Sequence, residues 1–174
     1  SFLDEGRWQI VLDSLLPGDY VIIQFGHNDQ KNDPARHTDP HSTYKSNLEK
    51  YVNETREKWA FPILCTSIVR RHFDEKGHLT DTHGEYPVVT RQVAKEMNVP
   101  LLDLQKKTND IVSDLGPEKS KVLYLHTAPG EYPTQPGGIK DNSHLSKEGG
   151  RIIARFATEE MKKFRLAVME YLKE

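Results

Sequence analysis

The sequence predicts an α/β layered domain with a parallel sheet, and three observations carry that reading. Apolar, β-branched-rich runs recur at Tyr20–Phe25, Pro62–Ile68 and Pro100–Leu104. None alternates strictly between polar and apolar residues, as expected of strands buried on both faces. Segments with helical spacing separate the runs, the order from which parallel βαβ units are built.

Taken in order, residues 3–15 place Trp8, Val11, Leu12 and Leu15 on one face, the apolar stripe of an amphipathic helix. Pro17-Gly18 then supplies a turn ahead of the first strand. Residues 43–59 repeat the helical stripe with Tyr44, Leu48, Tyr51, Val52, Thr55 and Trp59. The second strand contains the only cysteine, Cys65, whose apolar neighbours favour a buried small residue over a reactive thiol. A single cysteine also excludes an intramolecular disulfide framework. Residues 87–97 open with Pro87, tolerated in a first helical turn, and stop near Asn98-Val99-Pro100. Val122–Leu125 is a weaker fourth strand. The last helix runs from about Lys147 to the chain end, with Ser146 as N-cap and Ile152, Ile153, Phe156 and Phe164 inward.

At 174 residues, 1–174 reads as a single domain large enough to bury a core. Lys and Arg total 24 against 26 Asp and Glu, a net charge of −2 without basic blocks, which argues against nucleic acid as a partner. No apolar stretch approaches the roughly 20 residues of a membrane span, so no membrane partner is predicted. Two long polar loops, Lys31–Ser42 and His126–Lys140, are of the kind that lines functional sites.

Each long loop adjoins a motif. Gly26-His27-Asn28-Asp29 follows the first strand at its carboxyl end, where ligands bind in open parallel sheets. A glycine there permits a sharp turn, and the Asn28 amide can donate to a developing oxyanion, worth about 3–4 kcal/mol in a dry site. Equally, Asn28 and Asp29 can simply close the turn. Asp141-Asn142-Ser143-His144 lies in the loop entering the last helix. There Asp141 can accept from one ring nitrogen of His144 and leave the other free as a base. An acid–base pair and an oxyanion donor are what acyl hydrolysis needs besides a nucleophile.

The combination resembles the SGNH (GDSL-type) hydrolases, in their rhamnogalacturonan and pectin acetylesterase branch. The resemblance rests on Phe2-Leu3-Asp4-Glu5-Gly6-Arg7-Trp8, on Pro17-Gly18-Asp19-Tyr20 leading into Gln24–Gln30, and on Asp141-Asn142-Ser143-His144-Leu145. Arg70-Arg71-His72-Phe73-Asp74 and Asp81–Pro87 look like the same branch. It implies a three-layer flavodoxin-like fold with helices on both faces of a parallel sheet. It also implies a Ser-His-Asp mechanism without cofactor or metal, acting on the acetyl esters of pectic polysaccharide or oligosaccharide. Carried over by position, Asn28 is the oxyanion-hole amide, His144 the general base and Asp141 its orienting partner. Gly26, His27, Asp29, His83 and Tyr132 are implied around the substrate, although His83 and His126 also read as ordinary loop residues. The family further suggests a secreted or periplasmic location.

The family's Gly-Asp-Ser block and its oxyanion-hole glycine block have no counterpart within these residues, so the domain is expected to be amino-terminally incomplete and inactive alone. Ser14 lies in a helical pattern, Ser143 would have to fold back onto His144, and Ser67, at the end of the second strand, is the least unsuitable substitute nucleophile. A non-catalytic carbohydrate-binding or scaffold domain on the same fold is the alternative reading. In the family two further strands flank Tyr20–Phe25. The run is therefore expected to form an exposed edge through which the chain self-associates.

Overall fold

A computed structural model describes residues 2–171. The chain divides into two compact units, one comprising residues through Ser67, His83–Asp103 and those from Glu160 on, the other Ile68–Thr82 and Leu104–Glu159.

The first unit holds a three-stranded parallel sheet of β1 (Tyr20–Gln24), β2 (Phe61–Cys65) and β3 (Leu101–Leu102) in that spatial order. Tyr20 pairs with Phe61 and Gln24 with Cys65. Helices α1 (Arg7–Ser14), α2 (Lys45–Glu57) and α3 (Tyr86–Glu96) belong to the same unit. Their apolar stripes meet the sheet in one cluster: Trp8 and Leu12 from α1, Leu48, Tyr51 and Val52 from α2, Val89 and Val93 from α3, and Ile23 and Leu64 from the strands. Burial drives this packing at about 25 cal/mol per Å² of apolar surface. Asp39 opens the turn before α2 by accepting from the amides of His41 and Ser42, the usual means of satisfying orphan donors at a helix start. Cys65 is buried, and burial pushes its thiol up to about 12, in keeping with a packing residue.

The second unit contains α4 (Leu104–Lys119), an antiparallel pair of β4 (Tyr124–Thr127) with β5 (Ile139–Leu145), and the start of α5 (Lys147–Lys163). Its core gathers Val69, Val112, Leu123 and Tyr124. Ser146 caps α5 as expected, its hydroxyl accepting from the Gly149 amide at 2.9 Å. Among the described residues no helix is long and apolar enough to cross a membrane.

Several expectations are corrected. The third strand is only two residues long, because Leu104 already begins α4. That helix, unassigned from sequence, presents Leu104, Thr108 and Val112 inward at four-residue spacing. The fourth strand does not extend a parallel sheet but pairs antiparallel with β5, in a stretch expected to be loop. Strand β5 alternates half-buried and exposed residues along Ile139–Leu145, but the inward positions include Asp141 and Ser143, so hydropathy alone hides the period. Phe164 is exposed rather than inward, and Trp59 lies beyond the end of α2, exposed. The expected end of the last helix includes residues 172–174, which lie outside the described residues.

Gly149 tests how closely α5 is seated. A Cβ there would lie 1.9 Å from the Leu123 carbonyl oxygen. Alanine ordinarily favours a helix interior over glycine by about 1 kcal/mol. Here Gly149→Ala is expected instead to destabilise by roughly 1–3 kcal/mol through overpacking, read as a lowered urea midpoint; an unchanged or raised midpoint would refute the close seating.

Candidate active site

In the first unit, β1 ends at Gln24 and the backbone turns sharply at Gly26, with φ of 108°. Any Cβ at Gly26 would sit 3.0 Å from the Tyr44 hydroxyl, so glycine is demanded by space as well as by backbone angle. Asp29 closes the turn by accepting the Gly26 amide at 2.8 Å and the Thr38 hydroxyl at 2.9 Å. The Tyr86 hydroxyl lies 3.0 Å from the Asp29 carbonyl and 2.5 Å from that of Thr38, bracing the end of the long loop against the turn. Asp29 therefore acts as a structural anchor of the motif. Asn28 is exposed, and its carbonyl accepts from the Lys31 amide at 3.0 Å. The residue lines a cavity of about 480 Å³ bounded also by Phe2, His27, Arg36 and Tyr51. His83, expected beside substrate, is buried, and its Nε2 lies 3.1 Å from His27 Nδ1. His27 itself borders the cavity.

In the second unit, His144 Nδ1 lies 2.7 Å from Asp141 Oδ2. The other carboxylate oxygen, Oδ1, accepts the amides of Ser143 at 2.7 Å and His144 at 2.9 Å. Burial works to raise the Asp141 pKa. The amides of His144 and Ser143 and the His144 ring outweigh it and bring the carboxyl from an ordinary 3.8 to about 2. Asp141 is thus a standing carboxylate, and the His144 ring it orients is 80% exposed. Tyr132 stands in an exposed turn of the same unit.

Arg71 and Asn142 were missed from sequence as positioning residues. The buried Arg71 guanidinium donates to Asn142 Oδ1 at 2.9 Å and to Ser120 Oγ at 3.2 Å. It also donates to the Pro117 carbonyl, while the Arg71 amide donates to the Asn142 carbonyl at 2.8 Å. His126 Nε2 reaches the same Asn142 oxygen at 2.8 Å, so this histidine supports β5. Their signal in the sequence is that both fall in segments carrying the family resemblance, Arg70–Asp74 and Asp141–Leu145.

The serines expected to be poor nucleophiles are otherwise engaged. Ser67 is buried and donates to the Phe25 carbonyl at 3.1 Å, and Ser14 donates to Ile10 within α1 at 2.8 Å.

Residues 2–152 match the GDSL-like lipase/acylhydrolase family. Among relatives, the rhamnogalacturonan acetylesterase RhgT of Bacillus subtilis is 42% identical over 99% of this chain and 73% of its own length. The probable rhamnogalacturonan acetylesterase YesY of the same organism is 36% identical over 98% and 74%. Among solved structures, YxiM of Bacillus subtilis superposes with a TM-score of 0.75 at 24% identity, over 95% of this chain and 43% of that one. Axe2, an acetylxylan esterase of Geobacillus stearothermophilus, gives 0.62 at 24% identity over 90% and 65%. The fold is the SGNH-type α/β class that the sequence implied.

The depressed Asp141 carboxyl has a measurable sign. Because folding lowers its pKa, the carboxylate contributes stability above about pH 4 that is lost as pH falls toward 2. The stability advantage of the wild type over Asp141→Asn is therefore expected to shrink across that interval in urea titrations at stepped pH. An advantage independent of pH would show that the charge is not what the amides hold.

Proposed function

The chain belongs to the GDSL-like lipase/acylhydrolase family, in its rhamnogalacturonan acetylesterase branch, and from that premise we propose that it carries the acid–base and oxyanion groups of a carbohydrate O-acetylesterase. The observation that carries this reading is the Asp141–His144 contact of 2.7 Å, with the far side of the ring open to solvent. The names of the relatives support acetylated rhamnogalacturonan as substrate, and a polymer of that kind fits a secreted or periplasmic location.

In the proposed reaction His144 Nε2 removes the proton of a serine hydroxyl as its oxygen attacks the acetyl carbonyl. The Asn28 amide donates to the oxyanion that forms. Collapse of the tetrahedral adduct expels the sugar oxygen, which takes the proton from the imidazolium. Water then attacks the acetyl-serine with His144 again as base, releasing acetate. Asp141 holds the ring tautomer throughout. The serine is proposed to lie outside residues 1–174, given how Ser14 and Ser67 are engaged. Gly26 shapes the turn, and His27 and Tyr132 are proposed to contact sugar.

Residues 1–174 alone are therefore expected to release acetate from acetylated rhamnogalacturonan at background rate, with His144→Ala no different. Joined to the Gly-Asp-Ser and glycine blocks of a family member, the chain is expected to turn over. In that chimera His144→Ala should lower kcat by about 10⁴–10⁶ and Asn28→Ala by about 10²–10³. Turnover of the chain alone that depends on His144 would overturn the placement of the serine. A chimera indifferent to His144 would favour a carbohydrate-binding module on the same fold.

Self-association belongs to the same proposal. Strand β1 lies at the edge of its sheet among the described residues, and Ile22 on it is 54% exposed. Apolar edges pair with other chains, and charge on them prevents it. Sedimentation velocity is expected to show concentration-dependent association that Ile22→Lys reduces; a monomer at high concentration would count against it.

A further inference from the structure

The first unit carries a second groove, of about 510 Å³, at the amino-terminal ends of β1 and β2. The Gly26–Asp29 turn follows the other end of β1. Tyr20 and Phe61, paired across the first rung of the sheet, bring their rings to 5.0 Å at a shallow 31°. Beside them stands Trp59, the indole 79% exposed. Arg56 and Arg165 complete the wall, and the lining includes no carboxylate. The Arg56 guanidinium is fixed by donating to the carbonyls of Met97 at 2.8 Å and Asn98 at 3.3 Å.

Trp59 is held there against its backbone preference. Its φ is +59°, the left-handed region that bulky residues avoid. The conformation is locked from both sides, the Trp59 amide donating to Arg56 and its carbonyl accepting from Gly18, both at 2.9 Å. Glycine or asparagine would take this position with less strain, yet a large apolar ring is held in solvent. Strain kept where the surroundings over-determine it marks functional positions, and exposed apolar patches mark binding grooves.

We propose that this groove is a second carbohydrate-binding site that takes a uronate-bearing stretch of polysaccharide, separate from the catalytic end. Flat aromatic faces suit the apolar faces of sugar rings. Two guanidinium groups in a lining that, among the described residues, includes no carboxylate suit the carboxylates of a uronate polymer, which Arg recognises in fork geometry. The choice of a uronate polymer rests on the proposed rhamnogalacturonan reading; the site itself rests on the groove. Its role is to hold the polymer near the enzyme and raise the local concentration of acetyl groups.

Affinity electrophoresis of the chain through native gels containing polygalacturonate, with uncharged xylan as control, tests the proposal. The net charge of −2 gives no general attraction to a polyanion. The wild type is expected to be retarded by polygalacturonate and not by xylan. Trp59→Gly is expected to weaken retardation about tenfold or more, and Arg165→Gln to weaken it and flatten its salt dependence. Because glycine accepts the positive φ, the melting temperature of Trp59→Gly should equal or exceed the wild-type value, so lost binding cannot be attributed to unfolding. Absence of retardation in the wild type, equal retardation in all three proteins, or equal binding to xylan would overturn the proposal. Binding requires no nucleophile, so the result stands or falls independently of acetate release.

Discussion

A buried cation is tolerable only when its donors are satisfied, and Arg71 meets that constraint in a way that organises the second unit. Its guanidinium ties the Pro117 carbonyl, the Ser120 hydroxyl and the Asn142 side chain together, while its own amide holds the Asn142 carbonyl. Removing such a partner leaves charged or polar groups desolvated and unpaired, a cost well above that of a surface contact. Asn142 lies between Asp141 and His144 in β5. The acid–base pair therefore inherits its place from a network that never touches either of its side chains.

An analogous economy governs the first unit, where hydroxyls rather than a cation satisfy the turn. Tyr44 and Ser67 converge on the Phe25 carbonyl, and Tyr86 on those of Asp29 and Thr38. Burial raises the phenol pKa values of Tyr44 and Tyr86, and nearby Asp29 adds to the effect in both. Both stay protonated donors through the range in which an esterase works. The loop that presents Asn28 is consequently held by neutral phenol hydrogen bonds beside those that the Asp29 carboxylate accepts.

What the sequence made legible follows from which signals are local. Strands β1 and β2 announce themselves by apolar runs, and α2 by the spacing of Leu48, Tyr51, Val52 and Thr55, because their buried residues are mostly apolar. The Asp141–His144 contact is legible too, since a carboxylate three residues from an imidazole can reach it without help from the fold. Strand β5 escapes notice because its inward positions include the polar Asp141 and Ser143, the Asp141 carboxylate accepting the amides of Ser143 and His144 rather than facing an apolar core. Arg71 escapes for a different reason: its meaning lies in contacts with Asn142, 71 positions away, which no local pattern encodes. His83 shows what a motif leaves open: its burial and its 3.1 Å approach to His27 come from the fold and not from local spacing.

The exposure of His144 bears on how the proposed chemistry would be powered. An ion pair with one partner 80% exposed contributes little by itself, because water screens it. The low Asp141 pKa comes instead largely from two backbone amides that remain in place whether or not the ring is charged. The carboxylate that orients His144 is therefore fixed by the backbone before substrate arrives. Oxyanion donation by Asn28, in contrast, gains its full strength only where water is excluded. On the proposed reading, the polysaccharide supplies that exclusion by covering the amide. Small soluble acetyl esters, which cannot cover it, should then be poorer substrates in kcat as well as in KM.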